Sequence, residues 1–406
     1  MSARKPELMV PASSLEVLKT AVNYGADAVY IGGEVFGLRA KAKNFTIEEM
    51  KEGVEYAHDH DVKVYVTVNI LAHNADLEPV KEYLEDLKDV KPDALIIADP
   101  AIFTIVREQM PDMCIHVSTQ ANNTNYGTYN FWHNLGAKRV VSARELSLNE
   151  IKEIRDNIPE DMEIETFVHG AMCISYSGRC LLSSFMAGRD ANKGACTHPC
   201  RWKYAVVEES RPGQYMPIEE NERGTYIFNS KDLCMIEHIP ELVEAGIDSF
   251  KIEGRMKTAL YVATVSRTYR MAIDDYFEDP EKYKANLDKY RKLISQCTYR
   301  QYTTGFFFGK PDEDAQIYDK NEYEKDSVYL GIVESVEDNV VELTQKNKFS
   351  VGDIIEVMKI DGEDIKTKAL SIKDEDGTEM DSCPHPQQKI YVELDTAPDV
   401  GNVLKM

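Results

Sequence analysis

The stretch KVYVTVNILAHNADLEPVKEYLEDLKDVKPDALIIA (residues 63–98) contains one complete unit of the predicted fold. A β-branched run, Lys63–Val68, precedes an amphipathic helical pattern, Leu77–Leu87, and a second apolar run, Ala94–Ala98. The order strand, helix, strand is typical of a parallel sheet, because a helix must carry the chain back to the start of the neighbouring strand. The same alternation continues on both sides of this stretch.

Eight candidate strands fall within the first 260 residues. Besides the two just quoted, they are Leu8–Val10, Ala28–Ile31, Ile115–Ser118, Arg139–Ser142, Ile164–Val168 and Ser249–Ile252, with helical patterns at Leu15–Tyr24, Ile47–His58 and Leu148–Arg155. Eight strands with intervening helices predict an α/β fold, a TIM-like (β/α)8 barrel. An open doubly wound sheet is the alternative, but no Gly-x-Gly-x-x-Gly follows a strand to favour a dinucleotide fold.

Two departures from this alternation predict the domain organisation. A long gap separates the seventh and eighth strands, so we predict a barrel domain over residues 1–277 with a cysteine-rich insertion at 169–248. Residues 278–326 are rich in Lys, Tyr and Asp and predict a connecting segment of helix and loop. Residues 327–406 contain short alternating runs such as DIIEVM (353–358) and KIYVEL (389–394), which predict a small antiparallel β-barrel.

The composition excludes several classes of function. A formal net charge of −23 argues against broad adhesion to DNA or anionic lipid, because such binding depends on neutralising phosphates with Lys and Arg. No run approaches the roughly 18 apolar residues of a membrane span, and the first residues lack the apolar stretch of a secretory signal. We therefore expect a cytoplasmic protein with no membrane partner.

The cysteine-rich segment is a local exception to the acidic composition. The segment from His169 to Tyr204 contains five basic residues and only one acidic residue, Asp190. The basic residues are Arg179, Arg189, Lys193, Arg201 and Lys203. This segment is either a solvated loop or a contact for phosphates.

Four of the eight cysteines, Cys173, Cys180, Cys196 and Cys200, fall within the predicted insertion. Four thiolates from one loop can hold a tetrahedral zinc ion or a cubane iron–sulfur cluster, and spacing alone does not choose between them. The six-residue gap after Cys173 fits zinc less well, because zinc sites pair cysteines two to four residues apart. Apolar neighbours such as Met172 favour a shielded cluster, and four unligated thiols are the third interpretation.

Polar side chains collect at the C-terminal ends of the predicted strands, where barrel enzymes place catalytic groups. His116 and His169 are candidates for general acid or base, because an imidazole titrates near neutrality. Arginines at these ends can grip a carboxylate or phosphate with paired hydrogen bonds, which predicts an anionic substrate or co-substrate. The candidate catalytic residues are His116, Glu165, His169, Lys251 and Glu253, and the candidate substrate-binding residues are Arg39, Asn69, Gln120, Arg144 and Arg255.

The segments around the cysteines resemble the signature of peptidase family U-32, the collagenase-like protease group. They are ETFVHGAMC (165–173) and SGRCLLS (177–183). Four more segments are similar to family segments: PELMVPA (6–12), AVYIGG (28–33), NSKDL (229–233) and FKIEGR (250–255). The likeness covers essentially the whole chain, including the β-rich tail.

This resemblance implies a function that the composition alone does not predict. Several members of the family are implicated in oxygen-independent hydroxylation: one branch acts on the wobble uridine of tRNA and requires prephenate, another acts on a ribosomal RNA cytidine, and a third on ubiquinone precursors. The resemblance also implies a 4Fe-4S cluster on the four cysteines of the insertion. The length and tail are most similar to the tRNA branch, so we expect 5-hydroxyuridine formation with tRNA and a small dicarboxylate, prephenate, as partners.

Two other functions stay open. The family name implies a peptidase, although the chain contains no His-Glu-x-x-His zinc motif and no Gly-x-Ser-x-Gly elbow. A non-catalytic RNA-binding protein with a structural zinc is the other alternative. A homo-oligomer or a paralogous partner subunit is compatible with each of these functions.

Overall fold

The computed structural model describes residues 4–38, 44–173, 175–191, 194–202, 205–206, 216–217, 231–297, 301–309, 327–360 and 362–406. Strands and helices alternate through the first part of the chain. The strands are β1 (Glu7–Pro11), β2 (Ala28–Gly32), β3 (Lys63–Val68), β4 (Ala94–Ile97), β5 (Ile115–Val117), β6 (Arg139–Val141), β7 (Glu163–Ala171), β8 (Ala205–Val206), β9 (Met216–Pro217), β10 (Asp232–Cys234), β11 (Ser249–Ile252) and β12 (Tyr302–Thr303). The helices are α1 (Leu15–Asn23), α2 (Ile47–His58), α3 (Leu77–Val90), α4 (Pro100–Gln109), α5 (Tyr126–Asn134), α6 (Leu148–Asp156), α7 (Leu182–Ala187), α8 (Ile239–Glu244), α9 (Ala259–Glu278), α10 (Pro280–Ala285) and α11 (Leu287–Ile294).

Strands β1 to β7 and β11 form a closed barrel of parallel strands. Each of β1 to β6 pairs in parallel with the next strand, and β11 pairs in parallel with both β7 and β1, which closes the ring. The prediction of a (β/α)8 barrel is therefore confirmed, and the open sheet is excluded. The eight strands are those that the sequence predicted, with ends that differ by a few residues.

Local signals in the sequence set the starts of the barrel helices. Thr46 caps α2 in a capping box, in which its hydroxyl accepts from Glu49 N and the Glu49 carboxylate accepts from Thr46 N. Asp99 caps α4, whose first residue is Pro100. These caps fix the starts of the helices that follow β2 and β4.

The insertion begins at the mouth because β7 is longer than its neighbours. The first part of β7 pairs with β11, whereas His169–Ala171 pair antiparallel with β10. The register between β7 and β11 shifts after Phe167, because Phe167 faces Lys251 and His169 faces Ile252, which leaves Val168 as an extra residue. This bulge changes the direction in which the following side chains point.

The C-terminal part is an antiparallel sheet of seven strands, which curls into a half-barrel around its own apolar core. Its strands are β13 (Tyr329–Ile332), β14 (Ser335–Glu337), β15 (Val340–Thr344), β16 (Ile354–Met358), β17 (Ile365–Asp374), β18 (Lys389–Leu394) and β19 (Val403–Lys405). The prediction of a small antiparallel β domain is confirmed, although no ladder between the end strands β13 and β14 closes the ring within the described residues. The domain boundaries drawn from the sequence stay a prediction.

The C-terminal sheet packs on the helical layer of the barrel. The Tyr24 hydroxyl donates to Met358 O (2.6 Å) and accepts from Val403 N (3.0 Å). Arg267 of α9 pairs with Asp364. Among the described helices, none combines the length and apolar character needed to cross a membrane.

Candidate active site

A cavity of about 180 Å³ lies at the C-terminal mouth of the barrel. One wall consists of residues at or after the strand ends, and the other consists of the cysteine-rich segment. The strand-end residues include Tyr30, Thr67, Asn69, Ser118, Gln120, Arg144, Lys251, Glu253 and Arg255, and the facing segment contributes Cys173, Tyr176, Cys180, Cys196, His198 and Cys200. The structure therefore brings together six of the ten predicted catalytic and binding residues; the other four are His116, Glu165, His169 and Arg39.

Arg255 is almost completely buried in this cavity. Its Nη1 donates to Thr67 Oγ1 (3.1 Å), and the guanidinium lies directly over Gly32. A Cβ atom on residue 32 would collide with Nη1, so the glycine at the end of β2 makes the position of Arg255 possible.

Arg144 is held on the opposite flank of the same strand ends. Its guanidinium lies 4.0 Å from the centre of the Phe167 ring, Nη1 donates to Ala171 O (3.2 Å), and Nη2 lies 3.7 Å from Glu253 Oε2. Stacking and a directional bond together fix a planar cation in a way that a lysine would not reproduce. Glu253 is the only acidic side chain among the described residues that line the cavity, which makes the lining cationic in an acidic protein.

Lys251 connects the floor of the cavity to an ion network inside the barrel. Lys251 Nζ donates to Glu165 Oε1 (2.7 Å), and Glu165 Oε2 accepts from Arg139 Nη1 (3.0 Å). Arg139 also binds Glu163 and Glu7. Burial lowers the pKa of Lys251, and the charge of Glu165 offsets this only in part. Glu165, predicted as catalytic, lies below the cavity and holds the lysine rather than lining the cavity itself.

Neither predicted acid–base histidine lines the cavity. The His116 ring packs edge-on against Tyr65 inside the barrel (centroids 4.6 Å apart), and burial lowers its pKa well below the usual value of 6.5. His169 lies among Tyr261, Tyr269 and Tyr302, with ring centroids 5.5 to 6.0 Å away. Burial lowers the pKa of His169 to about 3, so both rings are neutral near pH 7. Their catalytic role stays a prediction that this placement does not support.

Two amides complete the wall. Asn69 Nδ2 donates to Ser118 Oγ (3.2 Å), and Asn69 Oδ1 accepts from Leu38 N (3.3 Å). Gln120 contacts Gly178 of the cysteine-rich segment so closely that a Cβ atom on Gly178 would meet its amide oxygen. The remaining predicted binding residue, Arg39, lies outside the described residues.

All four cysteines of the insertion line the cavity, and none forms a disulfide. The buried hydroxyl of Ser183 accepts from Thr197 N (3.1 Å), and His198 N donates to Cys196 Sγ (3.4 Å). An N–H donor aimed at a sulfur stabilises a thiolate. In the part of the chain that the structure describes, no three His, Cys, Asp or Glu side chains come close enough to hold a single metal ion.

Tyr30 and Thr67 are among the cavity residues that sequence reasoning left out of the predicted site. The Tyr30 hydroxyl donates to Ile252 O (3.0 Å), and Thr67 binds Arg255. Both lie on strands, just before the polar residues that follow the strand ends. Because every second side chain of a strand points to the same face, counting back by two along β2 and β3 would have found them.

Known proteins share this sequence over most of its length. Peptidase family U32 matches residues 13–317, and the Peptidase family U32 C-terminal domain matches residues 325–405. The chain is 42% identical over 404 residues to tRNA hydroxylation protein P1 of Bacillus subtilis (strain 168), covering 99% of this chain and 95% of that protein. It is 40% identical over 426 residues to tRNA hydroxylation protein P of Escherichia coli (strain K12), covering 92% of each. An uncharacterized protease of Methanocaldococcus jannaschii is 46% identical over 305 residues, which cover 74% of this chain and 73% of that protein.

Proposed function

The chain belongs to peptidase family U32, and from this premise we propose that it is a tRNA hydroxylase that forms 5-hydroxyuridine at the wobble position. The observation that carries the proposal is the cavity at the barrel mouth, where three cationic side chains face four thiols. Two relatives named as tRNA hydroxylation proteins, at 40% and 42% identity over at least 92% of the chain, support it. A cytoplasmic location is part of the proposal, since the substrate is tRNA.

The cationic lining supports a small dicarboxylate, prephenate, as co-substrate. Arg144 and Arg255 present planar guanidinium groups, and each can form paired hydrogen bonds with a carboxylate. Lys251 adds a compact charge at the floor, held in place by Glu165. Two carboxylates would satisfy these buried cations better than water alone.

We further propose that Cys173, Cys180, Cys196 and Cys200 hold a 4Fe-4S cluster. The fit rests on four thiols that line one cavity and on a backbone donor at Cys196. Such a cluster supplies one-electron redox chemistry when bound. The chain's own residues orient the anion, exclude water and position the target base.

A peptidase remains the second candidate, because one relative carries the name of an uncharacterized protease. Proteolysis requires a nucleophile beside a base or an activated water. The two predicted acid–base histidines, His116 and His169, are both buried away from the cavity. The hydroxylase is therefore the better-supported function.

Mass spectrometry of tRNA nucleosides from a deletion strain tests the proposal. We expect 5-hydroxyuridine and nucleosides made from it to disappear, and to return with the wild-type gene or with Cys114→Ser, but not with Cys173→Ser. Cys114 lies outside the cavity and is the matched control. An unchanged nucleoside profile in the deletion strain would reject the function, and gelatin cleavage that depends on Cys173 would favour the peptidase.

A further inference from the structure

Large apolar side chains are exposed on the cysteine-rich segment beside the cavity. Phe185 is 86% exposed and Leu181 68%, and Tyr176, Met186 and Trp202 are each more than 40% exposed. We call these five residues the apolar rim. Monomeric proteins rarely expose clustered large apolar groups without a binding partner, so the rim indicates an interaction surface.

The rim is presented by a scaffold that also positions the cysteines. Phe185 N donates to Leu181 O (2.9 Å), so these two side chains lie one turn apart on the same face of α7. The other side of α7 is anchored by the buried Ser183, and α7 packs against the turn Pro199–Arg201 that precedes Trp202. Tyr176 connects the apolar rim to the cavity, because it is part of the rim and also lines the cavity.

The charge around the rim is positive. Arg179 and Arg189 are exposed, and neither pairs with an acidic side chain among the residues that the structure describes. In a protein with a net charge of −23, this segment therefore presents two exposed cations near exposed aromatic side chains. Phosphates attract such cations, whereas aromatic faces accept stacked bases of any sequence.

We infer that the apolar rim is the stacking surface for unpaired bases of an RNA loop, with Arg179 and Arg189 contacting the flanking phosphates. This inference rests on the proposed function and deepens it. Enzymes that modify a base take it out of its stack, and Tyr176 at the cavity edge is placed to receive a base that leaves the loop. A second copy of this chain is a poorer occupant, because a two-fold contact would set the same cations against each other.

The test is binding of the full-length protein to a fluorescently labelled RNA hairpin with an unpaired uridine-containing loop. We expect Phe185→Ala to weaken binding about 5- to 100-fold, the range that loss of one base–aromatic stack produces. Phe185→Tyr keeps a ring and should bind as wild type, whereas Phe185→Leu keeps only apolar area and should resemble the alanine variant. Arg189→Gln should reduce the slope of log affinity against log salt by about 1.

The controls are an exposed aromatic residue and an exposed lysine on other elements of the fold. Phe131 on α5 is 54% exposed, and Lys373 is exposed on β17, so Phe131→Ala and Lys373→Gln should leave binding unchanged. Thermal unfolding of each variant verifies that Phe185→Ala is folded.

The outcomes separate this inference from the function on which it rests. If wild type binds the hairpin and Phe185→Ala binds within about twofold of it, the surface assignment is wrong while the function stands. If Phe185→Ala instead splits a dimer in sedimentation and leaves RNA binding intact, a second copy covers the rim. If wild type binds no RNA and the deletion strain keeps its 5-hydroxyuridine, the proposed function itself is rejected.

Discussion

The guanidinium of Arg255 occupies the space that a side chain on Gly32 would need. The two residues are far apart in the sequence but lie at the ends of strands β2 and β11, on either side of β1. The close approach lets Thr67 Oγ1 accept from Arg255 Nη1, which aims the cation into the cavity. The shape of the cavity around Arg255 thus depends on the absence of a side chain at residue 32.

Gly32→Ala should displace Arg255 and weaken binding of the anionic co-substrate. A lost hydrogen bond to a charged group costs about 1.5–3 kcal/mol, so we expect KM for the dicarboxylate to rise roughly 10- to 100-fold with a smaller change in kcat. Thr67→Val should act in the same direction, because it removes the acceptor. Thr104→Val on the outer helix α4 is the control. An unchanged KM in Gly32→Ala would show that Arg255 does not bind the co-substrate.

Arg139→Met should destabilise the barrel strongly. The substitution leaves the partly buried carboxylate of Glu7 and the buried carboxylate of Glu165 without their shared cation, which costs about 3–5 kcal/mol. Urea unfolding measures this free energy. Lys88→Gln, which breaks an exposed pair with Glu85, should cost less than about 1 kcal/mol. Equal effects of the two substitutions would contradict the structural role of the network.

The stabilities of the wild type and of Arg139→Met should respond differently to acid. Burial by itself would raise the pKa of Glu7, but the charge and hydrogen bond of Arg139 lower it below the usual 4.5. The stabilisation from Glu7 is therefore present above about pH 4.5 in the wild type and lost only as pH falls through the lowered pKa. In Arg139→Met burial is opposed only by the hydrogen bond from Tyr65 and the charge of Lys63, so Glu7 takes up a proton more readily than in the wild type. The difference in unfolding free energy should shrink as pH falls from 7 to 5.

His169→Phe should flatten the pH dependence of stability. Burial among tyrosines lowers the pKa of His169 to about 3, so below pH 6.5 the unfolded state binds a proton that the folded state does not. This histidine therefore reduces the free energy of unfolding by about 1.4 kcal/mol for each pH unit between about 6 and 3. Urea unfolding at pH 5 and pH 7 compares wild type with His169→Phe. The exposed His385→Gln should keep the wild-type dependence. If His169→Phe is stable but inactive, the predicted catalytic role is supported instead.

Cys180→Ser should reduce bound iron after oxygen-free purification. We expect the wild type to be brown and to contain about four irons per chain, and the variant to lose most of the iron and the visible absorption. Cys114→Ser should behave as wild type, since Cys114 lies away from the cavity. A colourless wild-type protein with one zinc per chain would refute the cluster and revive the structural-zinc interpretation.

Much of the fold could be predicted because its signals are local. Each barrel strand is a short apolar run bounded by turn residues, and several helices have a side-chain cap and an apolar stripe, as α2 does with Thr46 and Glu49. The four cysteines of the insertion were found for the same reason, because they lie close together in the sequence. The half-barrel form of the C-terminal sheet was less predictable, since closure depends on how strongly the strands coil.

The sequence by itself determined the eight strands, the helices between them and the set of thiols, because these depend on neighbours within a few residues. Only the tertiary structure decided which polar strand-end groups share the cavity. Glu165 and Phe167 follow the alternation of β7, but the extra residue Val168 turns His169 toward Tyr269 and away from the barrel mouth. A strand's side chains change faces with a shift of one residue, and that shift is fixed by pairing with β11, which lies far along the chain.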